Sequence, residues 1–385
     1  VFHFSFMNVL KAFLFIIYFN TTFQAIGQQG LFDHTQAMEL VGKGTESIYK
    51  LKVDSAKFYI RELRKLLPNH PVVPSMEAFL IQWENIPITE GQIFVRLEAK
   101  VREAIAAAQN FNPLDPHDED AVFFELATRG LLAEYYAENN NYFEAVTEAN
   151  KMYSLIKIGF DLVNDNPEFL FTTGLYNYFR MMYPQRHPIF APIAFFFKKG
   201  DKQLGLEQIL MSTKKAVISQ IEASIYLSYI YLRYEQTPEM AFNLLEGLIK
   251  RYPSNYYLIS KFLESTYATR QYDKIMLWMV DELINTDRSY YRMVGHIFKA
   301  VYLEFVEKKS KQAYIFYGMG VGFGSELSNH GEYFKSIAYL GLGRLSQQFG
   351  NLNTAKSYFN LCLKYAETKD IEKAAYLGLN SQNTD

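Results

Sequence analysis

Gly318-Met319-Gly320-Val321-Gly322-Phe323-Gly324 is the most glycine-rich segment and the first place to look for phosphate chemistry. A dinucleotide loop spaces its glycines Gly-x-Gly-x-x-Gly between a strand and a helix. Here Phe323 interrupts that spacing and the preceding segment reads as helix, so a flexible or bent connection between helices is expected instead. Gly42-Lys43-Gly44-Thr45 likewise lacks the upstream glycine of a phosphate loop. Asp115, Asp118, Glu119 and Asp120 could share a hard cation, but no glycine turn or distal glutamate at calcium-loop spacing accompanies them. Placed just before the apolar stretch from Ala121 to Leu126, these carboxylates suit the capping of a helix start. The seven histidines show neither HxxxH nor HExxH spacing, and no Gly-x-Ser-x-Gly elbow occurs. The single cysteine, Cys362, cannot form an intramolecular disulfide, a cysteine zinc site or a CxxC pair, and its position on the inner face of a helix suits a small buried residue. No catalytic, metal or cofactor site is therefore expected.

The elements that would have to position any chemistry read as helices almost throughout. Hydrophobic residues make up 49% and charged residues 21%, which gives ample material for a core. Lys plus Arg number 39 against 41 Asp plus Glu, so no broad electrostatic footprint for nucleic acid or an anionic membrane is present. The 29 Tyr and 32 Phe suggest aromatic packing between helices. Residues 223–234 and 241–251 form two amphipathic stretches joined by the breaker cluster Glu235-Gln236-Thr237-Pro238. In the second, Ala241, Leu245 and Leu248 make an apolar stripe that Pro253 closes.

Copies of that stripe recur along the chain. Ala355, Phe359 and Cys362 follow Tyr339 and Leu342-Gly343, and Ala145, Ala149 and Met152 follow Leu132-Ala133 and Tyr136. Ala56, Ile60 and Leu63 precede Pro68; Ala104, Ala108 and Phe111 precede Pro116; Ile275 and Met279 match Ala241 and Leu245 one repeat on; weaker copies centre on Gly205 and Ala313. At these residues the chain resembles the tetratricopeptide repeat family, whose period is about 34 residues. The resemblance implies an all-α, right-handed superhelical solenoid of antiparallel helix pairs with a concave binding surface, spanning residues 28–385 as one domain. The uneven spacing of the anchors implies insertions, the largest an irregular one at about 166–204. There Gly174-Leu175-Tyr176-Asn177-Tyr178, Tyr183-Pro184 and Gly200-Asp201-Lys202-Gln203-Leu204-Gly205-Leu206 are similar to a divergent mitochondrial repeat family implicated in clearing inclusion bodies, which implies a fold variant and not a shared process.

The repeat resemblance also says where a partner would lie. The first helix of each pair should line the concave face, which places Tyr226, Arg233, Tyr257, Glu264, Tyr267, Tyr302, Arg344 and Gln347 on it. Rigid rings with a few polar groups suit recognition of a peptide or protein, and Ala at Arg233 and Tyr267 together should then remove binding without unfolding. Lys11, the apolar run 12–19, polar 20–22 and Ala25-Ile26-Gly27 have the three-part pattern of a signal peptide, with Met7 a plausible start and cleavage after Gly27. The expectation is an exported scaffold in the periplasm or cell envelope of a bacterium, binding protein or peptide and no nucleic acid. Its rivals are a membrane-associated envelope assembly factor using the apolar segment 190–197, flanked by Arg186, His187, Lys198 and Lys199, and an enzyme with an unrecognised active site.

Overall fold

The stripe at Ala241 shows why these residues form helices. Pro238 opens the helix at its first turn with Glu239 beside it, and Lys250 and Arg251 close the last turn, so both ends complement the helix dipole. Ala241, Leu245 and Leu248 are buried on one face. The computed structural model describes residues 30–186, 197–327 and 330–381; among them are seventeen α-helices and no strand. They form eight antiparallel pairs and a closing helix. The pairs are α1 (Thr35–Tyr49) with α2 (Val53–Leu66), α3 (Val72–Asn85) with α4 (Gly91–Phe111), and α5 (Glu119–Glu138) with α6 (Tyr142–Leu162). Next come α7 (Phe169–Arg186) with α8 (Lys202–Lys215), α9 (Gln220–Ile230, continued by a π-turn at Tyr231–Glu235) with α10 (Pro238–Arg251), and α11 (Tyr256–Ala268) with α12 (Leu277–Ile284). The last pairs are α13 (Ser289–Phe305) with α14 (Ser310–Gly324) and α15 (Glu332–Gln348) with α16 (Leu352–Tyr365), closed by α17 (Lys369–Asn380).

Seven of the anchor residues lie on the second helix of a pair, and Ile275 lies two residues before α12. Ala56, Ala104, Ala241, Ala313 and Ala355 are completely buried, and Gly205 and Ile275 are buried as well. Each second helix packs between its own first helix and the next one, and first helices of neighbouring pairs also touch, as α1 does α3 and α13 does α15. This is a tetratricopeptide-like solenoid.

The solenoid closes on itself. Glu46 of α1 accepts from Arg251 at 2.6 Å and from Tyr252 at 2.7 Å, and Asn255 donates to the Tyr49 carbonyl at 2.9 Å while its own Oδ1 caps α11 at the Leu258 amide. One pair later the guanidinium of Arg288 donates to the carbonyls of Asn85, Ile86 and Pro87 at 2.5, 2.8 and 2.6 Å, joined by the Tyr291 hydroxyl at Ile86. The first two pairs therefore rest on the fifth to seventh, which narrows the concave side to a recess.

Several expectations change at this level. The glycine-rich stretch 318–324 is no connection; it is the C-terminal half of α14. Gly320 and Gly324, one turn apart, lie where a Cβ would meet Ile297 at 2.5 Å and Met293 at 3.0 Å, so the glycines let α13 and α14 approach. Of the segment 166–204, Phe169–Arg186 is the regular helix α7, while residues 187–196 lie outside the described residues. Gly174 and Gly205 belong to its contact with α8: a Cβ on Gly205 would stand 2.6 Å from the Tyr178 amide and 2.8 Å from the Gly174 carbonyl. Beside them Asn177 donates to Gln208 at 2.8 Å, and Asp201 caps α8 at the Leu204 amide. In the acidic cluster Asp118 caps α5 at the Ala121 amide, as expected of a carboxylate there, but Asp120 is buried and accepts from the Leu31 amide instead.

Candidate functional site

Of the eight side chains expected on the concave face, six fall into three groups, and Tyr302 and Gln347 join none of them. Arg233, midway along the π-turn that continues α9, pairs with Glu264 of α11 at 2.5 Å, reaches Glu367 at 3.6 Å and stacks 4.1 Å over the Tyr333 ring. Lys261 holds the other Glu264 oxygen at 3.2 Å. Burial would raise the Glu264 carboxyl, but Arg233 and then Lys261 outweigh it and hold it below the usual range. With its side chain 2% exposed, Glu264 is a buried tie between α9 and α11. In the second group Arg344 grips both Glu304 oxygens at 3.0 Å, Tyr317 donates to the same carboxylate at 2.7 Å, and Tyr267 lies against Arg344. Gln347 turns to the C-terminal end and donates to Ser381 at 2.9 Å. Tyr302 packs half-buried against the apolar core and joins neither network.

Tyr226 and Tyr257 belong to the third group, whose acidic members the sequence reading missed. Tyr226 donates to Glu134 of α5 at 2.8 Å, and its ring lies edge-on to Phe171. Glu222, one turn before Tyr226 on α9, accepts from Tyr49 of α1 at 3.1 Å and from the Trp83 indole of α3 at 3.2 Å. Tyr257 packs edge-on to Trp83 at 5.7 Å, and Glu138 stands one turn after Glu134. Glu134 and Glu138 are open to solvent, yet the surrounding helices strip much of their hydration. That desolvation, reinforced by Glu134, pushes the carboxyls of Glu138 and Glu222 up to about 7; Glu134 rises for the same cause against the Tyr226 hydrogen bond. Lys261 is the nearby cation that counters Glu138.

The recess thus presents carboxylates among aromatic faces, an arrangement that suits a cation. Among the described residues no cluster of His, Cys, Asp and Glu is arranged to hold a metal ion. A sequence signal existed: Glu134 and Glu138 share a helix face with Tyr135 nearby. The anchor at Ala145 is only partly buried, so the register that would have placed them inward is weak there.

Two buried polar clusters have other work. The His70 ring accepts from the Val72 amide through Nδ1, which leaves Nε2–H facing Asp120 at 3.5 Å, and both side chains are sealed in the core. Glu168 accepts from the amides of Val217, Ile218 and Ser219 at 2.6, 3.0 and 2.9 Å, holding the start of α9 to the loop before α7. Cys362 is wholly buried, and burial pushes its thiol up to about 12.

No family model matches the chain, and no curated protein matches it in sequence. Among solved structures it is similar to the human IFIT1 dimer with m7Gppp-AAAA, at 12% identity over 81% of this chain and 78% of that one, with a TM-score of 0.36. It is also similar to yeast Tom70, at 13% identity over 88% of this chain and 87% of that one, with a TM-score of 0.31.

Proposed function

We propose that this protein is a binding scaffold that receives a cationic segment of another protein in the acidic, aromatic recess of its interior. The supporting observation is the solvent-open pair Glu134 and Glu138, one helical turn apart and faced by Glu222. Like charges at that spacing cost a helix about 0.2–0.5 kcal/mol in isolation, and more where water is excluded. An ammonium or guanidinium group would relieve that repulsion and lie against the Tyr226 ring, beside the Tyr257 ring over which Lys261 already stands at 5.4 Å. The same acidic lining repels a phosphate backbone, which favours a protein or peptide over nucleic acid as the occupant of this recess. Arg233, Glu264, Tyr267 and Arg344 are then the wall that fixes the recess, with Tyr226 and Tyr257 its contact surface.

A catalytic reading has less support, because the His70 and Asp120 pair is out of reach of any substrate. Export is proposed on the pattern of residues 12–27 alone, which lie outside the described residues, as does most of the apolar segment 190–197. Among the described residues no helix is long and apolar enough to cross a membrane. Sequencing the N-terminus of the mature protein tests export; a retained Met7 would contradict it.

Trp83 offers a direct test of the recess. Its indole N–H is held by Glu222, and the chain's other tryptophan, Trp278, is exposed and can be replaced by Phe. In that Trp278→Phe protein a Lys/Arg-rich peptide should change Trp83 emission saturably, and an Asp/Glu-rich peptide of equal length should not. An unresponsive Trp83, or an equal response to both peptides, would remove the proposal.

A further inference from the structure

A second, oppositely charged cleft lies among the helices of the first two pairs and shares no lining residue with the recess. It has a volume of about 330 Å³ between α2, α3 and α4. Lys57, Arg61 and Arg64 line it from α2 at spacings of four and three, and Arg96 and Lys100 from α4 at a spacing of four. Side chains so spaced project from one face of a helix. Two cationic stripes therefore converge on one cleft, and against these five cations the lining contains only Glu77 and Glu84, both from α3.

The ion pairs do not balance the cleft. Glu77 is shared between Arg64 at 2.6 Å and Lys100 at 3.0 Å, Lys100 also pairs with Glu103 at 2.6 Å, and Glu84 stands 4.0 Å from Arg96. Lys57 and Arg61 have no ion-pair partner among the described residues. Like-charged stripes facing one another weaken the empty fold, since the same helices would be more stable with alternating charges.

We propose that this cleft binds a diphosphate group, free or carried by a small molecule. With Glu103 counted against Lys100, the cleft keeps an excess of two cations, which favours a multiply charged anion such as two adjoining phosphates near neutral pH. Arg61 and Arg96, from two helices lining the cleft, supply forked donors suited to paired oxyanions, while Lys57 adds a mobile point charge. The volume is at the small end of ligand sites, which suits a compact anion. The inference is independent of the recess, which shares no residue with it.

Isothermal titration of the full chain with pyrophosphate, at ionic strength held constant with sodium chloride, tests the proposal. Saturable one-to-one binding is expected, with orthophosphate weaker. Arg61→Ala should weaken pyrophosphate binding about tenfold through loss of its charge-assisted hydrogen bonds. Arg61→Glu with Arg96→Glu should abolish it while Trp83 still responds to the cationic peptide; if that pair misfolds by circular dichroism, Arg61→Gln with Arg96→Gln takes its place. Adenosine diphosphate binding more tightly than pyrophosphate would identify a nucleotide-borne group, and equal binding a free one. No pyrophosphate binding above the chloride background, or equal binding by the doubly substituted protein, would overturn the proposal.

Discussion

Glu222 is held by Tyr49 and Trp83, which favour its charged form, but burial and the nearby Glu134 carboxylate win and its carboxyl rises to about 7. A carboxyl whose folded value lies above its ordinary 4.5 adds stability that is complete below that value and lost as pH climbs through about 7. The urea midpoint should therefore fall between pH 5.5 and pH 8, Glu138 adding in the same direction, and Glu222→Gln should flatten that slope. An unchanged slope in the variant would assign the pH dependence elsewhere. Glu264 carries the opposite sign, since its carboxyl is held down and its contribution is lost only in more acidic solution. Replacing Glu264 by Ala leaves Arg233 and Lys261 buried without their partner, which should cost about 3–5 kcal/mol in chemical denaturation. By the same reasoning Ala at Arg233 and Tyr267 should lower the melting temperature, contrary to the expectation from sequence that these are removable groove residues. At this scale the sequence was most readable where partners are close: the Asp118 cap follows from its place before Ala121, and Cys362 from its stripe. Glu168, Asp120 and Glu222 were unreadable because their partners lie dozens of residues away, brought together only by folding.

Among the elements, the second helices were the easiest to read, because a small residue followed by large apolar ones at spacings of four and three has one meaning when it recurs. The glycines of α14 misled because Gly-rich sequence usually breaks helices, whereas here packing against α13 outweighs the propensity loss of roughly 1 kcal/mol per glycine. Gly174 and Gly205 pose the same problem between α7 and α8, with a stricter geometry since the closest atoms are backbone. Gly205→Val should push the two helices apart and destabilise the protein by about 1–3 kcal/mol, read from the urea midpoint, with Asn177 losing its hold on Gln208. A neutral Gly205→Val would mean the contact is looser than it stands here.

For the whole molecule, the repeat pattern carried the architecture and stopped short of its curvature. Neighbouring pairs are fixed by local stripes, but the angle between them is a sum of small rotations that no single stripe encodes. That sum brings Glu46 to Arg251 and Arg288 to the turn after α3, and so turns a concave face into an interior recess with an acidic lining. Whether a cationic chain occupies that recess is best measured by fluorescence anisotropy of a labelled Lys/Arg-rich peptide titrated with the protein and with its Glu134→Gln, Glu138→Gln variant. Loss of two charge-assisted contacts should weaken binding about 10- to 100-fold with the fold intact by circular dichroism. Equal affinity for the two proteins, or tighter binding of an Asp/Glu-rich peptide, would contradict the assignment of the recess as the binding site.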